Sequence, residues 1–207
     1  MTLHPAPATS SALDEETARA ELYGVLALLY YAPPSPELIA KLRVAATEAP
    51  AAGALLEEPW RVLVGLARSL DGALIAQEFD ALFGGIGKPE VYLYGSHFLS
   101  GFLNEKPLAR LRTDLASLGL ARDDAMPETE DHVACLCEVM RYLIAGDDVA
   151  VANLTRQREF FSQHLQPWVA RMCADIEQHP KACFYAALAG LTRSFMDIEA
   201  QGFDMLA

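Results

Sequence analysis

The chain has 207 residues, 52% of them apolar, and carries 16 Lys and Arg against 28 Asp and Glu for a net charge of −12. That composition supplies a continuous core for one domain. It argues against a general nucleic-acid binder, because an acidic surface repels the phosphate backbone, while it would attract a basic peptide.

Met1 to Ser11 is rich in Pro, Ala, Thr and Ser, with no lysine, no arginine and no apolar run, so it does not read as a secretory leader. Residues 1–13 are expected to form a disordered tail, ahead of one helical domain over 14–207. Asp14 is expected to cap the first helix, in which Leu22, Val25, Leu26 and Leu29 recur at helical spacing and Tyr23, Ala27 and Tyr30 widen the apolar stripe. Pro33, Pro34 and Pro36 stop it. A short helix follows from Pro36 to Ala46, then a breaker-rich loop at Ala49 to Gly53.

A helical pattern resumes at Pro59 with Trp60, Leu63, Val64, Leu66 and Ala67, and Asp71 to Phe83 continues it. Gly84, Gly85 and Gly87 end that run as a helix C-terminus and turn; they lack the spacing of a phosphate-binding loop. Val91 to Leu103 suits helix or extended chain. Pro107 to Leu118 is a cleaner helix, and the polar stretch around 121–127 is a candidate joint between two lobes. Thr129 is expected to cap a central helix carrying Val133, Leu136, Val139, Met140 and Leu143. Asp147 is expected to cap the next helix, which runs to about Gln166. Helices from Pro167 to Gln178 and from Lys181 to Gly202 close the chain. The fold class is all-α, a single globular domain of eight to ten helices. No apolar run reaches the ~20 residues a membrane-spanning helix needs, so a cytoplasmic protein without stable membrane insertion is expected.

Few residues suggest chemistry. Cys135 and Cys137 on one helix point about 200° apart, and no CxxC or paired Cys/His spacing occurs, so the four cysteines read as buried free thiols and no metal or cofactor is expected. The segment Glu128-Thr129-Glu130-Asp131-His132 is the most unusual local feature. Asp131, Glu138 and Tyr142 fall on one face of a helix extended through them. The segment supports acid residues at a helix start with an ordinary packed histidine, or an all-α enzyme using Asp131, His132 and Glu138, although no third group orients the pair; a metal site has no second ligand set in the sequence. An adaptor for a folded partner is a further alternative.

Three stretches resemble the TorD/DmsD/NarJ family of redox-enzyme maturation chaperones. Phe79-Asp80-Ala81-Leu82-Phe83-Gly84-Gly85 is similar to its aromatic-x-x-Leu-Phe-x-Gly segment. Tyr94-Gly95-Ser96-His97-Phe98, followed by Pro107-Leu108 and Leu111-Arg112, is similar to its aromatic-x-Ser-x-aromatic segment and the helix behind it. Glu128 to His132 with Glu138 and Met140 is similar to its Glu-Pro-x-Asp-His and Leu-Glu-x-Met segments. Thr129 stands where the family has proline, and Cys137 where leucine precedes the glutamate. The resemblance implies a chaperone, not an enzyme, that binds the twin-arginine leader and apo form of a molybdopterin-dependent oxidoreductase catalytic subunit, aids cofactor insertion and controls export. It also implies a monomer or a domain-swapped homodimer. Asp131, His132, Tyr94, Gly95, Ser96, Phe83 and Glu138 are the expected peptide-binding residues, with Asp131 accepting from a client arginine and Gly95 permitting close backbone approach.

Overall fold

The computed structural model describes residues 10–47, 55–84, 88–103, 105–123 and 126–205. Among them lie ten helices and no strand. The first, α1 (Ser10–Tyr31), starts upstream of Asp14, so positions 10–13 are helical where a tail was expected; the rest of that tail lies outside the described residues. α2 (Pro36–Val44) is capped by Ser35, whose Oγ accepts from the Leu38 amide at 3.2 Å. The loop expected at 49–53 lies outside the described residues.

The run expected to continue through residue 71 is two helices, α3 (Glu57–Ser69) and α4 (Gly72–Phe83). Leu70 turns extended, and Asp71 restarts the chain by accepting from the Ala73 amide at 3.0 Å. Gly84 ends α4 with its amide on the Asp80 carbonyl; a Cβ there would sit 2.9 Å from that oxygen. Residues 85–87 lie outside the described residues. Both conformations open to 91–103 are used: an extended stretch leads into α5 (Gly95–Ser100), and α6 (Lys106–Ser117) follows.

α7 (Val133–Ala145) begins four residues after Thr129, so Thr129 is not its cap and Glu130 and Asp131 are not in its first turn. α8 (Leu154–His164) likewise starts at Asn153, whose Oδ1 accepts from the Arg156 amide at 3.1 Å, and not at Asp147. α9 (Val169–Glu177) and α10 (Phe184–Asp204) complete the chain.

α7 lies along α1, and α10 packs against α9, α3 and α4. Tyr23, Leu26 and Tyr30 of α1 meet Leu136, Met140 and Leu143 of α7 and Leu188, Leu191 and Phe195 of α10 in one apolar core. That core includes elements on both sides of 121–127. Polar clamps tie the layers. Arg19 forks onto Glu199 at 2.7 and 2.8 Å, Tyr23 donates to the same carboxylate at 3.0 Å, and Arg19 also reaches Gln157 at 3.2 Å. Glu78 of α4 accepts three amides at the start of α10, from Cys183, Phe184 and Tyr185. Cys137 and Cys173 are buried free thiols as expected, whereas Cys183 is exposed. Among the described residues no helix is long and apolar enough to cross a membrane.

Candidate functional site

The extended stretch before α5 pairs with the chain before α7. The Val133 amide donates to the Leu93 carbonyl at 2.8 Å, the Gly95 amide donates to the Asp131 carbonyl at 2.9 Å, and Tyr94 faces His132 as an isolated antiparallel bridge. Five of the expected residues therefore do come together: Tyr94, Gly95, Ser96, Asp131 and His132. Their side chains are largely spent on holding the pairing. Asp131 is 3% exposed; one carboxylate oxygen accepts from the Ser96 amide in the first turn of α5 at 2.8 Å, the other from the Thr129 hydroxyl at 2.7 Å. It acts as a helix cap supplied from a distant part of the chain. Gly95 has its own reason to lack a side chain: a Cβ would lie 3.1 Å from Nε1 of Trp168, whose indole covers it.

His132 starts α7 by accepting the Ala134 amide on Nδ1 at 3.2 Å, which places the proton of the neutral ring on Nε2. Burial pushes its pKa down from 6.5 to about 4, against the upward pull of Glu128 and Asp131. The folded chain thus binds this proton less readily than the unfolded chain. Its stabilising effect is complete above pH 6.5, falls by ~1.4 kcal/mol per pH unit as the unfolded histidine protonates, and levels off below about 4. Urea unfolding between pH 7 and pH 4 should show that decline in the wild type and a shallower one in His132→Gln.

The two remaining expected residues lie elsewhere. Phe83 belongs to an aromatic cluster with Phe79, Tyr30 and Tyr185, at centroid distances of 5.2, 6.4 and 5.1 Å. Glu138 is on α7 with Tyr142, but Asp131 precedes that helix and does not share its face. The space beside Asp131, Ser96 and Trp168 is a cavity of about 10 Å³. It has room for a water molecule at most.

Two grooves are open among the described residues: one of about 660 Å³ between α1 and α10, whose lining includes Leu22, Phe195, Glu15, Arg19 and Glu199, and one of about 330 Å³ between α6, the segment after it and α7, which lies on the chain just before and along α7. The apolar lining of the α6–α7 groove includes Leu115, Leu120, Met126, Cys135, Val139 and Tyr142, and its carboxylates are Asp123, Glu130 and Glu138. Burial and the surrounding acids push the Cys135 thiol up to about 12, so it serves as apolar lining. Glu130 accepts both arms of the Arg112 guanidinium at 3.0 Å, and Glu138 pairs with Arg141 at 3.1 Å. Tyr94 donates to Glu128, a further tie between the paired segments, two residues from Glu130 of the groove. The Asp131 contacts thus fix the chain that carries Glu128 and Glu130. Sequence reasoning reached Glu138 and Tyr142 by helical spacing. It missed Glu130 with Arg112, because nothing in the spacing announces a pair 18 residues apart.

The described chain is thus an all-helical fold with Asp131 and His132 buried beside an apolar groove that carries three carboxylates. A family model described as nitrate reductase delta subunit matches residues 49–174, more than half of the chain. The chain belongs to this family, which is one of non-catalytic TorD/NarJ chaperones. It is 27% identical over 135 residues to chaperone protein TorD of Aliivibrio fischeri, covering 61% of this chain and 63% of that relative. It is 27% identical over 139 residues to chaperone protein TorD of Vibrio cholerae, covering 64% and 63%. With chaperone protein YcdY of Escherichia coli it shares 27% identity over 170 residues, covering 82% and 86%. The chain spans a little under two thirds of the length of the TorD relatives it matches.

Proposed function

We propose that this protein is a cytoplasmic maturation chaperone for a molybdopterin-dependent oxidoreductase subunit, and that it receives the client's twin-arginine leader in the α6–α7 groove. The observation that carries this reading is the excess of carboxylates in this apolar groove, Asp123, Glu130 and Glu138 against Arg122, where the larger groove has Glu15 and Glu199 against Arg19. A leader of that type presents a basic pair followed by an apolar stretch, and each half has a counterpart there. Glu130, Glu138, Met126 and Tyr142 are the proposed contacts. Asp131, Ser96, Gly95, His132 and Tyr94 are the scaffold that holds the acidic edge in place, and Phe83 supports the core behind it. Holding the leader would delay export until the apoprotein has received its cofactor.

Calorimetric titration with a synthetic twin-arginine leader tests this reading. Micromolar or tighter binding is expected, weakened about tenfold or more by alanine at the leader's two arginines and by the double variant Glu130→Gln/Glu138→Gln. Binding indifferent to both changes would reject the groove.

A second reading has its own observation. Leu99, Phe102 and Leu103 are 44%, 70% and 41% exposed at the end of α5, an apolar patch suited to a folded partner. Phe102→Ser would then abolish capture of the client body and leave leader binding unchanged.

A further inference from the structure

The groove's carboxylates are not waiting empty. Glu130 is largely buried, its side chain 12% exposed, and it is gripped in a two-armed fork by Arg112, whose own side chain is 53% exposed. Glu138 meets Arg141 in a looser pair, with both side chains about half exposed. A third guanidinium, that of Arg122, lines the groove itself and donates to the Glu128 backbone carbonyl at 3.3 Å, not to a groove carboxylate. Glu130 and Glu138 line the groove, whereas Arg112 and Arg141 are outside its lining and reach the same carboxylates from outside. Two guanidinium-binding positions one groove apart are therefore already filled, each by an arginine of this chain.

We propose that Arg112 and Arg141 are place-holders for the client's arginine pair: they keep Glu130 and Glu138 paired in the empty chaperone and are displaced when a leader's two arginines enter. This rests on the groove being the leader site. Exchange of one guanidinium for another conserves hydrogen bonds and charge at each glutamate, so entry of arginine leaves no carboxylate unpaired. The cost of displacement is small because both resident arginines are solvent-exposed. A lysine ammonium cannot reproduce the fork on Glu130, so the exchange favours arginine over lysine. The place-holders thus act as a threshold, reducing affinity for peptides with a single positive charge or none.

The test compares Arg112→Gln and Arg141→Gln with the wild type. Glutamine keeps Cβ and Cγ and places its amide carbon at the position of the Arg141 Cδ, the atom that lies next to Gly24. Arg61→Gln is the charge-matched control, since Arg61 pairs with Glu58 on α3, away from the groove lining. The groove variants are expected to bind a twin-arginine leader about two- to fivefold more tightly than wild type, with a smaller gain for a twin-lysine leader and none in the control. Unchanged or weaker binding, or a gain equalled by Arg61→Gln, overturns the proposal. If the wild type binds no leader, the proposed function falls. The place-holder idea is then decided with N-acetyl-Arg-Arg-amide, following the carbon-13 shifts of the Glu130 and Glu138 carboxyl groups. Tighter titration in Arg112→Gln sustains it, and identical titration refutes it.

Discussion

Glu199→Ala should destabilise the folded chain by roughly 3–5 kcal/mol, the cost of breaking a buried ion pair from one side. Glu199 is 4% exposed and accepts from three groups at once: both arms of Arg19 and the Tyr23 hydroxyl. Its removal leaves a partly buried guanidinium and a fully buried phenol without their acceptor. Gln157 cannot replace it, because its amide nitrogen already donates to the Leu143 carbonyl and its oxygen already accepts from Arg19. Glu199→Gln retains one acceptor oxygen and should lose less. Urea unfolding at neutral pH measures both variants, and an alanine variant within about 1 kcal/mol of wild type would show that α1 and α10 are held by apolar packing alone.

The second large effect is expected at Asp131. Asp131→Ala orphans the Ser96 amide and the Thr129 hydroxyl together, for a cost of roughly 2–4 kcal/mol. Asn preserves an acceptor for Ser96 and lets the Thr129 hydroxyl rotate, so Asp131→Asn should cost about 1 kcal/mol. The asparagine variant carries the sharper functional consequence. If Asp131 anchors the strap and does not contact the leader, folded Asp131→Asn binds the leader nearly as well as wild type. A loss of affinity much larger than its loss of stability would instead mean that the buried carboxylate turns outward to the client.

The elements were legible wherever the chain announces its own breaks. Pro33 and Pro34 separate α1 from α2, which opens on Pro36, and Gly119, at φ of +72°, follows α6. Helix starts were misplaced where a local signal had a remote use. Thr129-Glu130-Asp131 resembles a capping segment, yet Asp131 caps α5, whose Ser96 is 35 residues away. Asp147 is a plausible cap by type, but the chain turns for six more residues until Asn153 serves. The pairing of 93–95 with 131–133 has too few residues for any alternating pattern to form. The same physics limited the reading of the site. The resemblance picked out Asp131, Ser96 and Gly95, but residue type alone does not tell a client-facing carboxylate from one buried against its own backbone. Gly95 illustrates this most simply, since the group that approaches it is Trp168 of the same chain.

Amide chemical-shift mapping of the folded protein during titration with a twin-arginine leader locates the site. The largest shifts are expected on Met126, Glu130, Glu138, Val139 and Tyr142, with small changes at Ser96 and Thr129. Shifts centred instead on the larger groove of about 660 Å³ between α1 and α10, around Leu22, Ile198 and Phe203, would contradict the α6–α7 placement.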